Sequence, residues 1–252
     1  MNAQGRFYAA RQAALEGRHE DALREFIWFH EHALEEQPSL CGVRLSYALY
    51  DWIELGKAYP PARQALVDIR DRKTQALLDG AAQRALFHDV AAINERLDAA
   101  AATRELFLAL ERDMPAFAAR CTSSALDAIV AAGDYRLAAR IRPDPETQIR
   151  HEAACLAVEV LDIKRRPFTR APVRWAVIRR YAEMVRRHLA IAAGIGDPAQ
   201  AARLQALAVR LIDNPSLRAA VRADIARRAD SPRLDLYRRG WNKHGRRRRN
   251  PR

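Results

Sequence analysis

The sequence predicts an all-α protein built from stacked antiparallel helical hairpins. Glycine supplies only 10 of the 252 residues, while alanine and arginine, which favour helix, are abundant. Apolar residues recur at intervals of three and four along almost the whole chain, which is the period of a helix with one buried face. The connections between the predicted helices are short, and short connections place consecutive helices side by side and antiparallel.

Glycines mark the ends of several predicted helices. A helix can end with a residue at positive φ, and the glycines at such positions are Gly17, Gly56, Gly80, Gly133, Gly194 and Gly196. Together with the apolar period they predict helices over residues 3–16, 19–36, 39–55, 60–78, 81–112 with a break near Asp98, 115–131, 134–141, 145–163, 171–193, 197–212 and 215–229.

Four helix starts share one local chemistry. In each, a residue with a side-chain oxygen precedes a proline: Asp144-Pro145, Asp197-Pro198, Asn214-Pro215 and Ser231-Pro232. The oxygen can cap free backbone amides of the first turn. Proline suits the first helical position because its missing N–H has no partner there. We therefore expect a helix to begin at each of these prolines.

Charge divides the chain into three predicted regions. Residues 1–163 form an acidic helical-repeat region with 19 basic and 25 acidic side chains. Residues 164–232 form a basic helical region, and residues 233–252 form a basic tail that we expect to be disordered because it lacks an apolar period. Such asymmetry indicates an acidic partner, either protein or nucleic acid, or an attraction between the two halves of the chain.

Several classes of site receive no support from the sequence. Cys41, Cys121 and Cys155 are widely spaced and odd in number, which argues against a disulfide framework or a structural zinc. The phosphate-binding, dinucleotide-binding and nucleophile-elbow motifs are absent. The N-terminus lacks an apolar signal core, and the apolar run at residues 189–196 is too short to span a bilayer. We expect a cytoplasmic, noncatalytic protein without a cofactor, metal, small-molecule substrate or membrane contact.

The segment 17–38 concentrates histidines, acidic residues and a tryptophan on one helix. At about 100° per residue, His30 falls with the apolar residues of this helix, and His32 points about 200° away from it. A shared metal is therefore not expected, and His30 is interpreted as a half-buried residue at the edge of the core. Trp28 lies among charged residues, where it either packs under a neighbouring helix or binds a partner. Tyr47, Tyr50 and Trp52 can join it as interface anchors or fill the core.

A resemblance to tetratricopeptide repeats follows from the spacing of small and aromatic residues. The residues that carry it in the first unit are Gly17, Ala22, Phe26, Ala33 and Pro38, and the interval from Ala22 to Ala33 exceeds the motif by one helical turn. The step from Gly133 to Ala138 recurs from Gly196 to Ala201. The stretch GVRLSYALYDWIELGKAYPPA at residues 42–62 also resembles uncharacterised bacterial helical-repeat proteins. The resemblance implies a curved α-solenoid that binds other proteins in its concave groove.

The predicted helix at residues 171–191 has one apolar side and one strongly basic side. Trp175, Arg179, Arg180, Arg186 and Arg187 form the basic side, a composition suited to phosphates, carboxylates or an acidic helix. The alternative is a solvated face whose arginines pair with acids of the first half of the chain. The interface predicted for a protein partner comprises these five residues with Trp28, Tyr47, Tyr50 and Trp52.

The tail interleaves basic and aromatic residues, which can neutralise phosphates and stack on bases. The residues predicted to bind polyanions are Arg238, Arg239, Trp241, Lys243, Arg246, Arg247, Arg248 and Arg249. The alternative is an unstructured end that adds solubility.

From the whole sequence we expect a scaffold that binds a protein partner, such as a cognate effector or toxin or an assembly partner. The second hypothesis is a nucleic-acid-binding protein that uses helix 171–191 and the tail.

Overall fold

The structure, a computed structural model, describes residues 1–164 and 170–227, and every regular element within these ranges is helical. The α-helices are α1 (Ala3–Leu15), α2 (His19–Glu36), α3 (Cys41–Val43), α4 (Leu49–Ala58), α5 (Pro60–Leu78), α6 (Arg84–Arg96), α7 (Ala100–Asp113), α8 (Pro115–Ala131), α9 (Tyr135–Ile141), α10 (Pro145–Lys164), α11 (Arg170–Gly194), α12 (Pro198–Arg210) and α13 (Pro215–Ala226). The expected all-α fold class is therefore confirmed.

The chain forms two compact units. The first unit comprises Met1–Pro143 with Gly194–Gly196, and the second comprises Asp144–Ala193 with the described residues from Asp197 onward. The division at Pro143 falls one helix before the boundary at residue 164 that the change of charge suggested. Residues 165–169, within the predicted connection, and the whole predicted tail, residues 233–252, lie outside the described residues.

The first unit is assembled from consecutive helices that pack against each other, with α1 on α2, α4 on α5, α5 on α6 and α7 on α8. Its largest apolar cluster joins α1, α2 and α4 through aromatic rings. Phe7 stacks on Phe29 with ring centroids 5.1 Å apart, and Phe26 stacks on Trp52 at 5.9 Å. These four rings are almost completely buried, so they fix the relative positions of the three helices.

A π-helical segment interrupts the helix that was predicted over residues 39–55. A 3₁₀ turn (Pro38–Leu40) and α3 lead into the π-helical segment (Arg44–Ala48), which continues directly into α4. A π-helix has more residues per turn than an α-helix, so it shifts which side chains face the interior. Here Arg44, Leu45 and Ala48 are buried, and a helix of uniform period would not have predicted the burial of an arginine.

Positive φ angles occur where most of the expected helix ends were placed. Gly17, Gly80, Gly133 and Gly196 all have positive φ, and Asp98 has φ 57° at the break between α6 and α7. Gly56 is different because it lies inside α4, so its expected role as a helix end is wrong. A Cβ at this position would lie 3.2 Å from the backbone nitrogen of Arg63. The glycine therefore allows the start of α5 to approach α4 closely.

The second unit has a core of its own, formed by α10 to α13. Three expected caps are confirmed: Asp144 accepts a hydrogen bond from the backbone N–H of Thr147 at 3.0 Å, Asp197 caps Gln200 at 2.7 Å, and Asn214 caps Leu217 at 2.9 Å. The expected start at Ser231-Pro232 lies outside the described residues.

No helix in the described part of the chain combines the length and apolarity needed to cross a membrane.

Candidate functional site

Helix α10 buries one side and exposes an apolar opposite side. Asp144 starts the helix, and the buried side includes Ile149, Leu156 and Ile163. On the other side Val158 is 66% exposed and Leu161 is 57% exposed, and a separation of three residues places both on one face of the helix. We call the exposed side, which comprises His151, Ala154, Cys155, Val158, Leu161 and the charged Asp162, the α10 face.

The α10 face carries polar groups beside its apolar ones. The Nε2 atom of His151 lies 3.7 Å from the Sγ atom of Cys155, one helical turn further along. At the edge of the face, Glu159 accepts two hydrogen bonds from Arg180 of α11, at 2.6 and 2.7 Å. The ion pair raises the pKa of Arg180, mainly through the hydrogen bond to Glu159. The basic helix is thus joined to the edge of the apolar face.

Helix α11 has the two sides that its sequence predicted. Its expected apolar side is confirmed, since the residues that form it are buried: Val177, Ile178, Tyr181, Met184, Val185 and His188. The Tyr181 hydroxyl donates a hydrogen bond to the carbonyl oxygen of Ala208 at 2.9 Å. Burial raises the pKa of Tyr181 well above its ordinary value. This face is therefore closed to a partner, and only the basic side of α11 remains accessible.

The arginines of α11 do not form one exposed band. Arg179 pairs with Glu183 at 2.9 Å, and its guanidinium lies 5.0 Å from the centre of the Trp175 ring. Arg186 donates to the backbone carbonyl of Asp224 and lies 3.7 Å from its carboxylate. Arg187 is half-buried on the same helix. Glu159, the partner of Arg180, belongs to the acidic region of residues 1–163, as the alternative of a neutralised basic face expects. Glu183 and Asp224, the partners of Arg179 and Arg186, belong to the basic region itself.

The aromatic residues predicted as partner anchors lie in different environments. Trp52 is 1% exposed and donates its indole N–H to the carbonyl oxygen of Ala62 at 2.7 Å. It is a core residue, so its assignment as a surface anchor is corrected. Tyr47 is 41% exposed, and Tyr50 is half-buried. Trp28 is also half-buried, with the guanidinium of Arg6 4.1 Å from its ring centre.

The predicted polyanion-binding residues, Arg238 through Arg249, all lie outside the described residues. Within the described ranges, no group of three or more histidine, cysteine, aspartate or glutamate side chains is arranged to hold a metal ion. His151 and Cys155 are therefore not joined by a third such side chain from the described part of the chain.

A buried cluster of charged residues, which the sequence analysis missed, lies inside the first unit. It joins His30 of α2, Arg44 of the π-helical segment, Lys73 of α5 and Asp89 of α6, each less than 10% exposed. Asp89 accepts from Lys73 at 2.6 Å and from both terminal nitrogens of Arg44, one of them at 3.0 Å. Arg44 also donates to the backbone carbonyl of His30 at 3.1 Å. Four elements are therefore held together by one carboxylate and its donors.

The electrostatics of the buried cluster follow from desolvation and from its two cations. Burial, which is the largest cause, and the positive charges of Lys73 and Arg44 together lower the pKa of His30 to about 3. Burial alone would raise the pKa of Asp89, but the hydrogen bond from Arg44 and the charges of Arg44 and Lys73 outweigh it and lower that pKa. At neutral pH the cluster thus contains a neutral imidazole and an ionised carboxylate.

The burial of His30 is greater than the sequence analysis expected. His30 is 3% exposed, whereas the sequence analysis placed it half-buried at the edge of the core. Its Nε2 atom lies 3.1 Å from Nζ of Lys73, and because Nζ is a donor, Nε2 accepts and the ring proton belongs on Nδ1. A signal for part of the cluster was present in the sequence, because Lys73 falls in the buried register of Leu66, Ile69 and Leu77 in α5.

In comparisons with known proteins, no family model, curated protein or solved structure matches the chain. Its class is therefore defined by its own geometry. Over the residues that the structure describes, the protein is helical and forms two units. The first unit contains a buried cluster of charged residues, and the second has an exposed apolar helix face.

Proposed function

We propose that the protein is a noncatalytic helical scaffold that binds a protein partner through the α10 face and the adjoining basic side of α11. The observation that supports this most is the exposure of Val158 and Leu161 on one side of α10. Burying such a side chain completely against a partner contributes about 1.5–3 kcal/mol. A phosphate backbone offers these side chains no comparable gain, so they favour a protein partner over a nucleic acid.

The residues beside the α10 face suit a protein interface. Trp175 and Arg180 belong to the residue types that most often dominate binding energy. The ion pair between Arg180 and Glu159 lies at the edge of the face, where charged pairs fix the orientation of a partner more than they add affinity. A partner segment with an apolar side and flanking acidic residues would satisfy both parts of this surface.

The proposal includes the expected architecture of stacked hairpins, an α-solenoid of the tetratricopeptide type. Consecutive helices pack against one another, and Gly17, Gly133 and Gly196 adopt positive φ at the ends of helices. Both features support a repeat-like stack. A cognate effector or toxin, or an assembly partner, is the class of protein that such scaffolds bind. Exposed Tyr47 and half-buried Trp28 of the first unit would then provide a second area of contact.

The nucleic-acid hypothesis gains less support. Arg179, Arg180 and Arg186 each interact with an acidic residue of their own unit, which reduces the positive potential available to phosphates. The hypothesis then depends on the tail, residues 233–252. It predicts that binding to generic RNA and duplex DNA falls steeply with salt and is lost when the chain is shortened to residues 1–232.

The test combines affinity capture with nucleic-acid binding. Wild-type protein and the double variant Val158→Asp/Leu161→Asp are immobilised, captured proteins are identified, and the strongest candidate is purified for a direct titration. We expect saturable binding to wild type and a loss of at least about tenfold in affinity for the double variant. Leu78→Asp is the matched control, because Leu78 is 48% exposed on α5 of the other unit.

Two results would contradict the proposal. One is a partner whose affinity is the same for wild type and the double variant. The other is a combination of two observations. The full-length chain binds labelled RNA or DNA at physiological salt, with lower affinity in Arg180→Glu, and protein capture yields no saturable partner. Circular dichroism of each variant shows whether its helices remain folded.

A further inference from the structure

The α10 face has an apolar centre, formed by the exposed Val158 and Leu161, and acidic residues along one flank. From residue 151 to residue 163 the chain contains three acidic side chains and neither lysine nor arginine. The acids are Glu152, Glu159 and Asp162. At 100° per residue all three lie on the same flank of the apolar centre, where Arg180 compensates one of their charges. A segment that covers this face therefore needs apolar side chains and positive charge.

The part of the sequence that follows α13 has this composition. Residues 233–252 contain nine basic side chains and one acidic side chain. The large apolar side chains of this stretch lie close together near its start: Leu234, Leu236, Tyr237 and Trp241. Basic residues flank them on both sides. The stretch thus combines a charge opposite to that of the α10 flank with apolar surface that gains by leaving water.

The end of α13 lies close enough to the α10 face for the following residues to reach it. The backbone carbonyl of Asp224, in α13, accepts a hydrogen bond from Arg186 of α11. Arg180 of the same helix binds Glu159 at the edge of the α10 face at 2.6 Å. The two arginines are six residues apart, which is about 9 Å along a helix. The seven residues 228–234 span up to about 23 Å when extended, so their reach exceeds this separation.

We propose that residues 234–241 cover the α10 face in the free protein and that a partner displaces them. Their apolar side chains lie over Val158 and Leu161, and Arg238 and Arg239 face the acidic flank. This inference rests on the proposed function, because it takes the α10 face as the surface that binds a partner. It adds regulation to that function, since the chain competes with the partner for its own binding surface.

Attachment to the same chain makes even a weak contact effective. A segment joined by a short linker has an effective concentration of about 1 mM. A contact with a dissociation constant of about 0.5 mM then covers the face about two-thirds of the time and lowers the apparent affinity of a partner about threefold. The proposed partner, with acidic residues beside its apolar side, also attracts the displaced arginines. The segment therefore opposes unrelated apolar surfaces more than it opposes this partner.

Alkylation of Cys155 in the full-length chain tests the proposal without any partner. Cys155 lies on the α10 face and is half-buried, as is Cys41 of the first unit. The rate at which each thiol reacts with iodoacetamide is measured at micromolar protein concentration by mass spectrometry of the resulting peptides. The variant Leu234→Ser/Trp241→Ser removes two apolar side chains of the covering segment. It is expected to raise the Cys155 rate at least about threefold and to leave the Cys41 rate unchanged.

The matched control is Asn242→Ser/Asn250→Ser, which introduces the same residue twice in the same stretch without removing an apolar side chain. Both thiols should react at the wild-type rate in this variant. Equal Cys155 rates in wild type and in Leu234→Ser/Trp241→Ser would overturn the proposal. A wild-type Cys155 rate that falls as the protein concentration rises would also overturn it, because the cover would then come from a second copy.

The outcome for the covering segment is separate from the outcome for the proposed function. Protection of Cys155 is measured on the free protein, so it is detected even when affinity capture finds no partner. Conversely, a captured partner that requires Val158 and Leu161 supports the proposed function even when the Cys155 rates of wild type and Leu234→Ser/Trp241→Ser are equal.

Discussion

Lys73 and Asp89 meet in the interior of the first unit, with Nζ of the lysine 2.6 Å from Oδ2 of the aspartate. Their side chains are 9% and 6% exposed. Arg44 binds the same carboxylate from the π-helical segment, so one anion compensates two buried cations. Since an ion in the protein interior loses its hydration, the contribution of each residue depends on the others remaining in place.

Removing the carboxylate is expected to be costly. Asp89→Asn leaves Arg44 and Lys73 buried without an anion and should lower the free energy of unfolding by about 3–5 kcal/mol. The change is measured by denaturant titration followed by circular dichroism. Asp113→Asn is the matched control: Asp113 pairs with Arg112 at the surface, where solvent screens the pair, and little change is expected. Equal stability of Asp89→Asn and wild type would contradict the structural role of the cluster.

The neutral imidazole of His30 predicts a dependence of stability on pH. Its pKa is about 3 in the folded protein and about 6.5 in the unfolded chain. Between these values the unfolded chain binds a proton that the folded protein does not, so lowering the pH favours unfolding. The contribution amounts to about 1.4 kcal/mol per pH unit within this window and is absent above it.

The comparison that isolates this effect is His30→Gln. Denaturant titrations at several pH values between 4 and 7 should show that wild-type stability falls more steeply on acidification than that of the variant. Other groups contribute to both curves and cancel in the difference, including Asp51, whose pKa burial raises to about 6. Parallel curves for the two proteins would contradict the burial of a neutral histidine.

The burial of Trp52 predicts a loss of stability on substitution. Trp52→Phe removes the indole N–H that binds the carbonyl of Ala62 and reduces the volume packed against Phe26. We expect a decrease of about 2–3 kcal/mol in the free energy of unfolding. The half-buried Trp28 provides the control, since Trp28→Phe should cost less than half as much. A larger cost at Trp28 than at Trp52 would contradict the assignment of Trp52 to the core.

The backbone at Asp98 predicts a gain in stability. Its φ of 57° is unfavourable for a residue with a Cβ and is compatible with glycine. Asp98→Gly should therefore raise the free energy of unfolding by up to about 1 kcal/mol, whereas Asp98→Val should lower it by about 1–2 kcal/mol. Thermal or denaturant unfolding measures both variants.

The control for Asp98 is a glycine substitution at an ordinary backbone conformation. Asp79 has φ −76°, so Asp79→Gly relieves no unfavourable backbone angle. It increases the freedom of the unfolded chain and removes the exposed hydrogen bond that Asp79 accepts from Gln75 at 2.8 Å. It should lower stability. If Asp98→Gly and Asp79→Gly changed the free energy of unfolding in the same direction, the interpretation that the backbone at Asp98 is strained would be contradicted.

Local signals predicted the helices well. The caps at Asp144, Asp197 and Asn214 depend on atoms within three residues of one another, and the break at Asp98 depends on one residue's φ. Such interactions are encoded by neighbours along the chain, so their pattern is visible in the sequence. The buried side of α11 was predictable for a related reason, because its apolar residues repeat with the helical period.

The proposed sites were harder to predict, because they depend on partners distant in sequence. Val158 and Leu161 fit the apolar composition of a buried helix face, and only the packing of α10 leaves them exposed. The sequence left open whether Arg180 lies on an open basic face or pairs with an acid of residues 1–163, and only the structure shows that it pairs with Glu159, 21 residues away.

The sequence by itself therefore determined the helical class, most helix boundaries and the phase of the buried faces, since these follow from propensity, capping and period within a few residues. The tertiary structure alone decided that Arg44 and Asp89, 45 residues apart, share the interior with Lys73 and His30. The tertiary structure also decided that Gly56 lies where α4 and α5 approach closely and that Trp52 is a core residue. The physical reason is that desolvation and ion pairing depend on which surfaces meet, and that follows from the packing of the whole unit rather than from any short segment.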